Sequence, residues 1–186
     1  MKVFIAALLI ISTFCGCSTK DDAWNQALNL RKKLLSATAC SFSTEISADY
    51  GDIIHTFQMD CSVDGLGNLD FSVTAPESIA GICGSITQDG ASLTFEDKAL
   101  AFPMQADDQI SPVCSPWLFM NALRGGYLSG CAEDDTGLCL YIDDSFRDYP
   151  LRFEVYADSD TIPTHVDFVW ENNRILSLNI KNFVIQ

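Results

Sequence analysis

The residues of this chain that could do chemistry are its cysteines, two histidines and a scatter of acidic pairs. Thiols can ligate a metal, attack as thiolates or pair as disulfides. A metal site is disfavoured, because no Cys-x-x-Cys pair exists and neither histidine is close in sequence to a cysteine pair. His55 falls on an apolar stripe, where a histidine is normally a satisfied core residue rather than a base. His165 follows Pro163 at the start of a strand and is expected to be exposed. Asp107-Asp108, Glu133-Asp134-Asp135, Asp143-Asp144 and Asp158-x-Asp160 could offer calcium oxygen ligands. None has the spacing of a known calcium loop, so they read as solvated turns. There is no Gly-x-Ser-x-Gly elbow, phosphate-cradling glycine loop or His-Glu-x-x-His helix. The expectation is a non-enzymatic chain without catalytic site, metal or cofactor.

The cysteines report on compartment instead. Met1-Lys2 is a short positive start, and Val3 to Ile11 is an apolar run too short to span a bilayer comfortably. Ser12-Thr13-Phe14-Cys15-Gly16-Cys17 follows, and its end resembles a bacterial lipobox with Gly16 before an acceptor cysteine, although Phe14 and Cys15 depart from the usual Leu and small residue. The resemblance implies cleavage before Cys17, lipidation of its thiol and a tether on the outer side of a membrane. An ordinary signal peptide with a released product is the alternative. The expected organisation is a leader over 1–16, a lipidated tether over 17–22 and a single domain over 23–186. Six cysteines then remain for disulfides in an oxidising compartment: Cys40, Cys61, Cys83, Cys114, Cys131 and Cys139.

The elements that must position these residues are strands. Cys40, Phe42, Thr44, Ile46 and Ala48 alternate with polar neighbours, as do Ile53, His55, Phe57, Met59, Cys61 and Val63. Asp49-Tyr50-Gly51-Asp52 is the turn between them. A hairpin symmetric about Tyr50–Gly51 puts Cys40 opposite Cys61, Phe42 opposite Met59 and Ile46 opposite His55. Cys131 and Cys139 would likewise face each other across the loop Ala132 to Leu138. Cys83 and Cys114 pair by subtraction.

Further alternating stretches follow, among them Leu69 to Ala75, Ile79 to Thr87, Lys98 to Met104, Leu151 to Ala157 and Ile175 to Gln186. The last changes phase near Lys181-Asn182, which predicts a bulge. Two helices interrupt the strands. Asp22 can cap one running to about Ser36, with Trp24, Ala27, Leu28, Leu34 and Leu35 on a stripe broken by Arg31. Its cluster Arg31-Lys32-Lys33 reads as a solvated face. Ser115-Pro116 begins the other, and Gly125-Gly126 ends it; this helix is either a lid or core filler. The fold class is α+β: a curved antiparallel half-barrel of about 10–11 strands with two or three helices over the concave face. At 186 residues the chain supports one core. Its formal net charge of −14 argues against nucleic acid, and equally against docking on anionic lipid through a basic patch.

Val73-Thr74-Ala75-Pro76-Glu77-Ser78-Ile79-Ala80-Gly81-Ile82 with Gln88 to Phe95, and Pro163-Thr164-His165-Val166 with Asn172 to Leu178 and Asn182-Phe183, are similar to stretches of LolA/LolB-type half-barrel lipoproteins. The nearest in style are the small lipoproteins of spore-forming bacteria, including the germination lipoprotein group. Six mature cysteines are not typical of the family. The resemblance implies an apolar concavity beneath helices and a role in envelope, sporulation or germination processes. An open sheet facing Phe42, Ile46, Phe57, Met59, Phe71 and Val73 must be covered by helices, a partner or an acyl chain. The expected partners are a membrane, through the N-terminal lipid, and an acyl lipid or lipoprotein in that groove. A regulatory module with a filled groove is the alternative.

Overall fold

The computed structural model describes residues 19–49, 51, 53–95, 98–106, 109–134, 137–146 and 149–186. Cys17 and the expected leader lie outside them. Eleven strands form one open antiparallel sheet: β1 (Ala39–Asp49), β2 (Ile54–Asp64), β3 (Leu69–Ala75), β4 (Cys83–Thr87), β5 (Gly90–Phe95), β6 (Lys98–Phe102), β9 (Tyr127–Asp134), β10 (Gly137–Phe146), β11 (Tyr149–Ala157), β12 (Pro163–Trp170) and β13 (Asn173–Ile185). Two short strands, β7 (Gln105–Ala106) and β8 (Gln109–Ile110), pair by themselves. The sheet order is β6-β5-β4-β3-β2-β1-β13-β12-β11-β10-β9, so the chain's last strand closes against its first and the two edges are β6 and β9. An antiparallel sheet of about this many strands is what the alternation predicts, whereas the pairing of the last strand with the first is not contained in it.

Period-two patterning works as expected in β1, where Cys40, Phe42, Thr44, Ile46 and Ala48 are buried. On β2, Phe57, Met59, Cys61 and Val63 share that inner face, and Leu69, Phe71 and Val73 do so on β3. The phase change near Asn182 is a bulge: the β1–β13 register shifts between Ser41 and Ser43, and Asn182 has φ +54°.

The register of the first hairpin differs from the expectation. Cys40 pairs with Val63, Phe42 with Cys61, Thr44 with Met59, Ile46 with Phe57 and Ala48 with His55. The turn is longer than the two residues assumed. Asp49 pairs with Ile54, leaving four residues between, and the Asp49 carboxylate accepts the Gly51 N–H at 2.8 Å while Gly51 takes φ +86°. A slip of two residues leaves every side chain on its predicted face, so alternation alone cannot detect it.

Among the described residues, two helices and a short 3-10 turn, Pro112–Cys114, lie on the inner face. Helix α1 (Thr19–Ser36) starts three residues before the expected Asp22 cap, so the tether assigned to 17–22 is largely helix. It buries Ala23, Ala27, Leu30 and Leu34, and leaves Trp24, Leu28 and Leu35 exposed. The buried stripe is therefore turned from the one built on Trp24 and Leu28. Alanines at 23 and 27 allow the helix axis closer to the sheet than those larger side chains would. Helix α2 (Ser115–Gly125) is buried along most of its length, including Trp117, Leu118, Phe119, Met120, Ala122 and Leu123. Cys114 is its N-cap, and the Ser115 hydroxyl donates to the Pro112 carbonyl at 2.6 Å instead of capping.

Candidate functional site

The sheet's inner face is the surface to which the sequence assigns binding, and α2 determines how much of it remains available. Phe119 is fully buried and meets the Phe42 ring edge-on at a centroid distance of 6.2 Å. Phe42 also stacks on Phe183 at 5.5 Å. The Trp117 indole N–H donates to the Gly67 carbonyl at 3.1 Å, and the Arg124 guanidinium donates to the Asp64 and Gly65 carbonyls at 3.3 and 2.7 Å. These bonds pin α2 to the β2–β3 turn. From the other side, Arg31 on α1 donates to the carbonyls of Leu123 and Ala122, the C-terminal turn of α2. Arg31, expected to be solvated, thus ties α1 to the end of α2, where the Ala122 carbonyl also accepts the Gly126 N–H; burial pushes its pKa down.

Phe42, Ile46, Phe57, Met59, Phe71 and Val73 are all brought together on this face, as expected, but as core: none is more than 9% exposed. α2 is therefore filler over this part of the sheet. Thr44 lies among them, and its hydroxyl is buried with no hydrogen-bond partner among the described residues.

The inner face is less completely covered toward the β6 edge. On β5, Ala91 is buried and Leu93 packs against the core. Phe95, the next residue of that alternation, is 39% exposed. Leu100 pairs with Leu93 and so shares its face, yet it is 61% exposed. His55 has the parity of Phe57 but is exposed at the start of β2, opposite Ala48 rather than Ile46.

Among the described residues, none of the six cysteines is joined to another in a disulfide. Cys40 and Cys61 are diagonal neighbours on the inner face rather than direct partners. Burial raises both thiol pKa values, and the Asp60 charge adds to the effect at Cys61. Cys131 pairs with Leu140 and Cys139 with Ala132, so the two cysteines face opposite sides of the sheet. The expected symmetric loop is wrong by one residue here, and an odd shift reverses the face. Gly137 sets this turn with φ +136°, where a Cβ would collide with the Ala157 carbonyl. Cys114 is fully buried, with its pKa pushed up to about 12 by burial, whereas Cys83 is exposed on β4.

The outer face carries a polar row. Cys139, Tyr156, His165 and Asn179 are successive cross-strand partners on β10 to β13. The His165 ring is held by Asn179 Oδ1 at 2.8 Å and Asp167 Oδ1 at 3.0 Å, and is half-buried rather than fully exposed. Burial first, then the charges of Cys139, Glu154 and Asp167, push the Tyr156 phenol up to about 12. Cys139 and His165 are separated by Tyr156, two strand spacings or roughly 10 Å, which is beyond the reach of a thiolate–imidazole pair. Among the described residues, no group of three or more metal-ligating side chains converges.

No protein-family model and no curated protein sequence matches the chain. Solved structures do. A LolA superfamily protein from Nitrosomonas europaea is 11% identical over 91% of this chain and 94% of its own, with a TM-score of 0.46. The lipoprotein LppX from Mycobacterium tuberculosis is 12% identical over 87% and 93%, with a TM-score of 0.42. A chain of the complex between the CwlD amidase and the GerS lipoprotein of Clostridioides difficile is 13% identical over 92% and 98%, with a TM-score of 0.45.

Proposed function

We propose that this protein is an exported, membrane-anchored and non-enzymatic lipoprotein. It binds an acyl lipid or a lipoprotein at the β5–β6 end of its inner face. The observation that carries the reading is the exposure of Phe95 and Leu100 on the same face that elsewhere forms the core. Apolar side chains at the rim of an open sheet gain by being covered, at about 25 cal/mol per Å² of apolar surface removed from water. The occupant lies over Leu93, Phe95 and Leu100 rather than deep beneath α2. Cys17 supplies the anchor on the outer side of the membrane.

Native mass spectrometry of the purified protein tests the ligand. A co-purifying acyl lipid, lost in the Phe95→Asp/Leu100→Asp variant, is expected. Wild-type protein that neither carries lipid nor takes up a fluorescent fatty acid refutes this reading. Cys17→Ser should move the protein from the membrane to the soluble fraction, and unchanged fractionation argues against lipidation. A second reading, a protein-interaction module with no ligand, draws on the close packing of Phe42, Ile46, Phe57, Met59, Phe71 and Val73. Under it, Phe95 and Leu100 bind a protein and no lipid is found.

A further inference from the structure

Helix α1 has a second apolar stripe besides the one it buries. Trp24, Leu28 and Leu35 are 36%, 53% and 57% exposed. With Arg31 between the leucines, the spacings are four, three and four, which keep all four residues within roughly 60° of one another around the helix. The β2–β3 turn lies beyond the helix's C-terminal end. A Cβ on Gly65 would rest 3.4 Å from the Ala37 and Thr38 carbonyls, so the turn abuts the chain leaving α1. Leu66, at its tip, is 88% exposed.

Cations gather at the same place. Arg31 reaches the end of α2, Arg124 of α2 reaches the turn, and Lys32 is exposed on the flank of the stripe, whereas Lys33 lies on the opposite side of the helix. Arg31 and Arg124 donate to carbonyls rather than carboxylates, so these bonds leave their charge in place. The nearby Asp64 carboxylate is turned into its own loop, where it accepts from the Leu66 and Asn68 amides and the Asn68 side chain. The Debye length is about 8–10 Å at moderate salt. The local excess of positive charge therefore matters more to an apposed surface than the −14 of the whole chain, from which the opposite expectation arose.

Only Ser18 separates Cys17 from the start of α1 at Thr19. A lipid on Cys17 would therefore hold the first turn of α1 at the headgroups without slack. Among the described residues, no helix is long and apolar enough to cross a membrane. A helix with Trp and Leu on one flank and basic residues beside them has the composition of one lying along a bilayer surface.

We propose that α1 and the β2–β3 turn are a docking surface for an anionic bilayer, with Trp24, Leu28, Leu35 and Leu66 set among the headgroups and Arg31, Lys32 and Arg124 facing phosphates. This surface orients the anchored domain; that orienting role rests on the reading of Cys17 as the anchor, whereas the surface's affinity for lipid does not. The test uses the chain from residue 17 onward, which holds every described element, carrying Cys17→Ser so that no acyl chain contributes. It is floated with vesicles of phosphatidylcholine, with or without an equal part of phosphatidylglycerol. Binding to the anionic vesicles alone, release at high salt and a blue shift of tryptophan emission that Trp24→Phe removes are the expected results. Leu28→Ser/Leu35→Ser should weaken binding by about tenfold or more, and Ile162→Ser, at an exposed position between β11 and β12, should leave it unchanged. Absence of flotation on anionic vesicles, or flotation that survives the double substitution, overturns the proposal. So does self-association without lipid that the double substitution abolishes, since the stripe would then be a contact between copies. Fractionation of the lipidated chain tests Cys17 separately.

Discussion

Replacing Phe119 by alanine measures whether α2 is part of the core or a lid over an empty groove. Phe119 is fully buried, meets Phe42 edge-on, and sits on a helix held by Trp117, Arg124 and Arg31. Those ties prevent α2 from collapsing into the space that the missing ring would leave. The full cavity term then applies, and the substitution should cost about 3–5 kcal/mol. Against a total stability of roughly 5–15 kcal/mol, that is a large fraction. Urea unfolding followed by circular dichroism should show a lowered midpoint at unchanged slope. A mobile lid would give a different result, because its inward ring would have lost little burial. A measured loss below about 1 kcal/mol would refute the packed-core reasoning, since burial of a phenylalanine cannot be removed so cheaply from a rigid site. Leu100→Ala, at an exposed position, provides the reference and should change stability by no more than about 0.5 kcal/mol.

Thiol labelling tests the cysteine geometry. Cys83 should react first and Cys131 and Cys139 more slowly, while Cys40, Cys61 and Cys114 should react only on unfolding. A peptide map of exported protein that links Cys131 to Cys139 would contradict the β9–β10 register. The Tyr156 phenol, raised from 10.0 to about 12, makes the folded state resist ionisation. In the unfolded chain tyrosine ionises near 10, so stability present below that pH should fall between about pH 10 and 12. Ultraviolet titration should show late ionisation that Tyr156→Phe removes, along with part of the alkaline loss of stability; an unchanged titration curve would refute the assignment.

Much of the fold is legible in the chain because side-chain alternation is a local property. The strand faces of β1, β2 and β3, the bulge near Asn182 and the extent of α2 follow from patterns within a few residues. Register is not local in that sense. A two-residue slip in the β1–β2 hairpin preserves both patterns, and the Asx turn at Asp49 selects between the alternatives. At β9–β10 the loop leaves Cys131 and Cys139 on opposite faces, so cysteine spacing alone misleads.

The sequence by itself determined that this chain builds an antiparallel sheet with one apolar face, and that Phe42, Ile46, Phe57, Met59, Phe71 and Val73 lie on it. Only the tertiary structure decided that those six are core while Phe95 and Leu100 remain uncovered, because that depends on where α2 comes to rest. It also brought Arg31, Arg124 and Leu66 together from three distant stretches of chain. The periodicity of an element says which of its faces is apolar; what covers that face is set by long-range contacts that no window of residues contains.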